Sequence, residues 1–362
     1  MTLSRRVLMK SVVAAVAMTA AMAGSASAGA LTSAEIDAAL AKHKGESLTI
    51  ASWGGSFQEA QRKAFFAPFS EKYGITIVED GPPGNAKIVA MVKAENVTWD
   101  LVDVGAYKTT PLGRDGYLEE IDYNIVDKTD IFPGFAPKWG IGNLSYSTVL
   151  AYRSDVLKDD PPTSVVDLWD LEKYPGKRAM RDNPIENLAY ALQADGMAIK
   201  DVYPLTEEKI ERAYAKLDEI KKHVIWWTQG ATAPQLLVTK EVVMATAWNG
   251  RLDKIKDEGV PVGMAWNGAQ LMGDAWAIPK GAPNKDLAML FIAWASLPDI
   301  NWRLSDYITY GPVNYKAIEH VSEDRRALVP TTFAHLQIPA DYDYWGDHYN
   351  EQVDRWTEWR LE

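Results

Sequence analysis

Apolar runs of strand length alternate with helical periods along the first part of this chain, and that alternation constrains the fold more than any single motif. Residues 47–53 (S-L-T-I-A-S-W) alternate as a strand and run into Gly54 and Gly55. Ser56 then opens a helix, with Glu59 three residues on as a capping box, and Gly74 stops it after Tyr73. Residues 75–79 read as a second strand, residues 86–94 as a second helix, and residues 100–105 (D-L-V-D-V-G) as a third strand ending beside Tyr107. This β-α-β-α-β order calls for a mostly parallel sheet covered by helices, and such sheets gather ligands at the carboxyl ends of their strands. Trp53 and Tyr107 stand at two such ends.

A second series follows. Residues 139–153 form a loop entering a β-rich strand, and Asp159, Asp160, Pro161 and Pro162 cluster just beyond it, where the chain is expected to cross to a second domain. Strands at 177–181, 224–227 and 242–248 alternate with helices at 184–194, 206–222 and near 234–239. The helix at 206–222 opens on Glu207 and Glu208 and closes on Lys221 and Lys222, as the helix dipole favours. Residues 271–285 (L-M-G-D-A-W-A-I-P-K-G-A-P-N-K) then place an acid, Asp274, two residues from Trp276, ahead of a run closed by Pro279 and Gly281. A carboxylate next to an aromatic face suits an ammonium group, because ion pairing and the ring quadrupole both attract a cation. Alternation along a strand puts Trp276 on the face of Asp274. Residues 287–295 read as a buried helix, and the aromatic, charged tail ends in a helix over 351–361.

Composition narrows the function. Residues 1–28 combine a basic start (Arg5, Arg6, Lys10), an apolar run and a small-residue cleavage site at Ala26-Ser27-Ala28, which together read as a secretory signal with a twin-arginine pattern. No later apolar run is long enough to span a bilayer, so the rest is expected to be a soluble periplasmic protein. There is no cysteine, hence no disulfide and no lipid anchor. The net charge of −11, more acidic still without the signal, disfavours nucleic acid. Tryptophan (14) outnumbers phenylalanine (8), a surplus that points to aromatic surface lining a cleft. No G-x-S-x-G or H-E-x-x-H motif occurs and His43, His223, His320, His335 and His348 are scattered, so neither an exported hydrolase nor another enzyme is expected. Tyr342 and Tyr344 alternate near the tail, yet hard-metal ligation needs several convergent oxygens; neither a metal nor a cofactor is expected.

Taken in order, Trp53 before a helix, W-D-L-V leading to Tyr107, W-N-G at Trp248, D-x-W-x-I-P-K-G-A-x-N at Asp274 and Y-G-P-V-N at Tyr310 resemble the periplasmic polyamine-binding proteins of ABC importers. Those are spermidine- and putrescine-type solute-binding proteins of the type II periplasmic binding protein fold. The resemblance covers nearly the whole chain beyond the signal. It implies an α/β protein of two lobes, each a mixed, mostly parallel sheet flanked by helices, with the ligand in the cleft between them. The boundaries expected are 46–152 with 274–318 for lobe 1 and 153–273 with 319–362 for lobe 2. The resemblance further implies Trp53, Tyr107 and Trp248 as aromatic walls, Asp274 as the carboxylate for an ammonium, and a monomer that delivers its small amine to an inner-membrane ABC permease. The second W-N-G, at Trp266, is expected to be core.

The chain departs from the family at Gly54-Gly55-Ser56, at Met272, and at Met180-Arg181-Asp182-Asn183. Two ligands stay open as a result. Asp182 holds a second ammonium if the ligand is a diamine; Arg181, helped by backbone amides at Gly55 and Ser56, holds a carboxylate if it is a zwitterion such as γ-aminobutyrate. An ordinary ion pair between Arg181 and Asp182 or Glu186 is the third arrangement.

Overall fold

The structure, a computed structural model, describes residues 29–132 and 134–362. The export signal read in residues 1–28 lies outside them. The strands, in chain order, are β1 Ser47–Ala51, β2 Thr76–Asp80, β3 Leu101–Gly105, β4 Ile141–Arg153, β5 Arg178–Arg181, β6 Val224–Trp227, β7 Met244–Trp248, β8 Val262–Ala277 and β9 Ile338–Pro339. They pair in the order β2-β1-β3-β8-β4-β7-β5-β6, with β9 on β8. At one end β1 runs parallel to β2 and β3; at the other β5 runs parallel to β6 and β7. These are the two alternating series of the sequence. β2 exposes every second residue, whereas β3 is buried throughout.

β4 and β8 join the two ends. They are 13 and 16 residues long, against five for β1 and four for β5. The start of β4 opposes Trp276 and Asp274 next to β3, and its far part, from Thr148 to Tyr152, opposes Trp248 to Met244 of β7. Each long strand therefore belongs to both lobes, which makes the architecture a two-lobed α/β type II fold. Register shifts between Gly142 and Leu144 and between Thr148 and Leu150 mark bulges, where a strand bends. The crossing thus lies within β4 and β8, on either side in sequence of the acid and proline cluster at 159–162, rather than at the cluster itself.

Aromatic packing closes the first lobe. A helical stretch runs through Gly55–Gln61, a π-helical turn at Arg62–Phe66 and Ala67–Tyr73. Its Phe69 meets Phe291 at 4.9 Å and Trp294 at 5.1 Å on the buried helix Lys285–Ala295. Trp276, 1% exposed, sits among Phe65, Phe66 and Phe291. Full burial of one such ring is worth about 1.5–3 kcal/mol. The expected capping box is absent: Glu59 pairs with Lys63, and the helix starts instead through Gly54 and Gly55, both at positive φ, with the Gly54 N–H donating to Gln58 Oε1.

The tail is a 20-residue helix, Tyr342–Leu361, capped by Asp341, whose carboxylate accepts from the Tyr344 N–H. It begins well before residue 351, and it straddles the lobes. Its first half packs on lobe 1, with Tyr349 against Tyr107 at 5.0 Å and Asp347 paired to Arg114 at 2.6 Å. Its second half packs on lobe 2, with Trp356 and Trp359 against Trp226 and Arg355 paired to Glu207. The segment from 319 onward is therefore shared between lobes rather than belonging to the second alone.

Candidate ligand site between the lobes

The carboxyl ends of β1, β3, β5 and β7 all point at the seam between the lobes, and each delivers a side chain there. From lobe 1 come Trp53, after β1, and the pair Tyr107 and Lys108, after β3. Trp53 is 36% exposed, whereas Trp99, Trp227, Trp276, Trp294 and Trp345 are fully buried. Most of the tryptophan surplus is thus core, and the accessible face belongs to Trp53. Tyr107 folds its ring back over Gly105, where a Cβ would lie 2.8 Å from the ring; only glycine admits that approach. Gly105 is the register partner of Asp274 on β8, so the turn sets Tyr107 against the strand that carries the acid.

Lobe 2 contributes Arg181 from the end of β5 and Trp248 from the end of β7. Arg181 lies over the Trp248 ring at 5.1 Å and donates to the Glu186 carboxylate, which is buried in the first turn of the helix Pro184–Ala194. Burial works against the Arg181 charge, and Glu186 together with Tyr146 and Tyr107 more than offsets it, so its pKa is raised. Trp248 is bracketed by Trp227 at 5.5 Å and by Tyr146, of β4, at 6.1 Å. Across the seam, Arg251 Nη1 donates to Ser56 Oγ at 3.3 Å. That bond joins the helix Asn249–Asp257 to the helix start at Gly55 and Ser56.

The acid at the centre is a pair. Asp103 of β3 is fully buried and accepts from Gln61 Nε2 at 2.5 Å, while its other oxygen has no partner. Burial, and then the negative charge of Asp274, hold its carboxyl well above the usual range. Burial also raises Asp274 to about 6, opposed by the Lys108 charge, by hydrogen bonding to Trp53 and by Arg181. Burial and their mutual repulsion work against both carboxyls being ionised together. Lys108, pulled down by burial, stands 5.8 Å from the Trp53 ring centroid and 5.6 Å from that of Tyr107.

Several polar atoms near this seam are buried without a partner: Asp103 Oδ1, both side-chain atoms of Asn143, Glu186 Oε2, Trp248 Nε1 and Arg251 Nε. Buried polar atoms are nearly always paired, and a concentration of unpaired ones marks where a polar ligand would complete the set.

Two residues proposed from the sequence are elsewhere employed. Trp276 shares the face of Asp274, as alternation requires, but one step further in, among the phenylalanines of the lobe 1 core. Asp182 turns to the tail helix, accepting from Trp356 Nε1 at 2.7 Å and Arg360 Nε at 3.2 Å, and does not face the seam. Trp266 stacks on Phe333 at 4.5 Å. Tyr342 and Tyr344 diverge, one against Phe135 and the other on His348. Conversely, the sequence motifs do not point to Asp103, Lys108, Asn143, Tyr146 or Arg251, and Glu186 enters there only as a candidate partner of Arg181. Asp103 alone had a signal, an acid inside an apolar, fully buried strand.

Residues 64–331 match the family described as bacterial extracellular solute-binding protein. The γ-aminobutyric acid-binding protein of Pseudomonas aeruginosa is 36% identical over 328 residues, 89% of this chain and 93% of that one. The spermidine/putrescine-binding periplasmic protein of Escherichia coli is 25% identical over 267 residues, 71% and 75% of the two chains. Among solved structures, an ABC transporter substrate-binding protein from Bradyrhizobium japonicum superimposes with a TM-score of 0.82 at 36% identity, covering 87% of this chain and 99% of that one. With its two lobes, its seam lined by aromatic and charged side chains and these relatives, the chain belongs to the bacterial extracellular solute-binding protein family, whose members capture a small solute for a membrane ABC permease and are not enzymes.

Proposed function

We propose that this protein captures a zwitterionic amine of the ω-amino acid class, γ-aminobutyrate first, and that a diamine is the poorer ligand. The carrying observation is the charge balance at the seam. The buried acid pair of Asp103 and Asp274 resists ionising twice, and Glu186 is spent on Arg181. Lys108 and Arg251 have no carboxylate within ion-pair distance among the described residues. Such a site matches an ammonium that comes with its own carboxylate, whereas a second ammonium would meet uncompensated positive charge. The 36% identical relative is named for γ-aminobutyric acid and the more distant one for polyamines, in keeping with this choice over the polyamine of the sequence resemblance.

In this reading Asp274 takes the ammonium, Trp53, Tyr107 and Trp248 cover the aliphatic segment, and the cleft closes because only the closed form contacts the ligand from both lobes. The protein works in the periplasm, reached through the twin-arginine signal, as a monomer that presents its solute to the permease. A thermal-shift panel tests the ligand class, since ligand binding raises apparent stability by mass action. Stabilisation by γ-aminobutyrate and not by putrescine or spermidine is expected; stabilisation by the diamines alone would overturn the proposal. Calorimetry on Asp274→Ala tests the site. Breaking a buried ion pair costs about 3–5 kcal/mol, so affinity should fall by roughly two to three decades or more.

A further inference from the structure

Lys108 is a buried-stem ammonium in the middle of the site that the aromatic and acidic residues define. The rings of Trp53, in the turn after β1, and of Tyr107, its chain neighbour, lie beside it, while Tyr349 of the tail helix, Asp274 of β8 and Arg181 of β5 act on its charge. It makes no hydrogen bond and no ion pair with any described residue. This is unlike Arg181, whose charge Glu186 absorbs at once. A cation resting on two ring faces beside a carboxylate without pairing to it is where a ligand ammonium would itself rest.

We infer that Lys108 is the residue that sets ligand class at this site: it occupies the aromatic cage of the empty protein, moves onto the carboxylate of an incoming zwitterion, and repels a second ammonium. The inference rests on the zwitterion reading above and adds to it the group that does the discriminating. The physical basis is one of subtraction as much as attraction. A diamine has to displace Lys108 from the rings and offers it nothing in return, so like charges crowd a site whose buried acid pair resists ionising twice. A zwitterion delivers one ammonium to Asp274 and one carboxylate to Lys108, which leaves both of those groups matched. Lysine suits the task because its flexible four-carbon stem lets the ammonium relocate by a few ångströms without moving the backbone. Arg251, the other cation without a carboxylate partner, lies at the mouth, beside Tyr310 and Ser56, and contributes no resolved charge effect at Asp274.

The test is calorimetry of wild type, Lys108→Gln, Lys108→Met and Lys108→Arg with γ-aminobutyrate and with putrescine, on protein whose circular dichroism spectrum and melting temperature show it folded. Removing the charge should weaken γ-aminobutyrate by about tenfold or more and strengthen putrescine by about the same factor. Lys108→Arg, which keeps the charge, should retain the wild-type order of preference. The Met variant preserves the apolar stem and so separates loss of charge from loss of packing. If γ-aminobutyrate binds wild type and both neutral variants alike, and putrescine stays excluded, Lys108 is not the discriminating group while the zwitterion reading stands. If wild type binds putrescine and not γ-aminobutyrate, both fall together. If the neutral variants lose both ligands in equal measure, Lys108 supports the cage without selecting, and the inference fails.

Discussion

Asp274 is an acid whose burial raises its pKa to about 6, and two opposite pH trends follow from that one number. A carboxyl group whose folded-state pKa lies above its unfolded value of about 3.9 favours the folded state while protonated. Its stabilising contribution is fully present below pH about 4 and is lost as pH rises through about 6. Ligand binding needs the ionised form, so affinity for an ammonium moves the other way. Between pH 7 and pH 5 the ligand-free protein should gain the Asp274 contribution to its melting temperature while its affinity falls. Asp274→Asn should show neither change, and comparison of the two proteins by differential scanning calorimetry and titration at each pH isolates the residue from the rest of the titrating surface. Asp274 was legible from its place beside an aromatic in a strand, as was Trp248 at the end of another. Its partner Asp103 was not proposed, because an acid on β3 comes to face Asp274 only when two strands 170 residues apart in sequence are set in antiparallel register. The Arg181 alternatives were on the page, and burial of Glu186 one turn into the neighbouring helix brings the internal pair together.

At the scale of elements, local periodicity carried far. The helix Pro184–Ala194 and the strand β6 begin and end where the sequence puts them, since Asn183 caps the first and β-branched and aromatic residues fill the second. Periodicity failed where an element's role is not local. β8 is 16 residues long, yet the sequence reading recognised only its last part, because Gly263, Gly268 and Gly273 interrupt the pattern a strand should show. Those glycines admit close neighbours rather than breaking the strand; Gly273 faces the Phe135 ring and the Leu144 carbonyl. Trp276 illustrates the same limit in reverse. Its alternation with Asp274 is real, and the register alone decides that it enters the phenylalanine cluster. Trp276→Ala should destabilise the protein by about 3–5 kcal/mol in denaturant unfolding. Ligand affinity of the folded fraction should change far less than in Asp274→Ala, which distinguishes a core residue from a wall.

The whole molecule is held together across its seam by unequal means. Two long strands and the tail helix make permanent connections, while the helix Asn249–Asp257 meets the other lobe through hydrogen bonds: Arg251 donates to Ser56 Oγ at 3.3 Å, Asn249 donates to the Thr309 carbonyl, and Asp253 accepts from the Thr309 hydroxyl. Arg251→Ala should therefore act on closure rather than on the pocket. Stopped-flow measurement is expected to show faster ligand release, by about tenfold, with a smaller change in the association rate. Small-angle scattering should show a more open ligand-free form and an unchanged bound one. The tail helix works against wide opening, because Tyr349 is packed on Tyr107 in one lobe and Trp356 on Trp226 in the other.

The acid and the walls of the site sit on different kinds of scaffold. Asp274 belongs to β8, one of the two strands through which the lobes are joined, whereas Trp53, Tyr107 and Lys108 occupy turns just past strand ends and Trp248 is the last residue of β7. A change at Asp274 alters the hinge and the ligand contact together; a change in a turn alters the contact alone. If the proposed zwitterion is the ligand, specificity has its freedom in the turns, where Lys108 lies, and the ammonium contact is tied to the strand that joins the lobes.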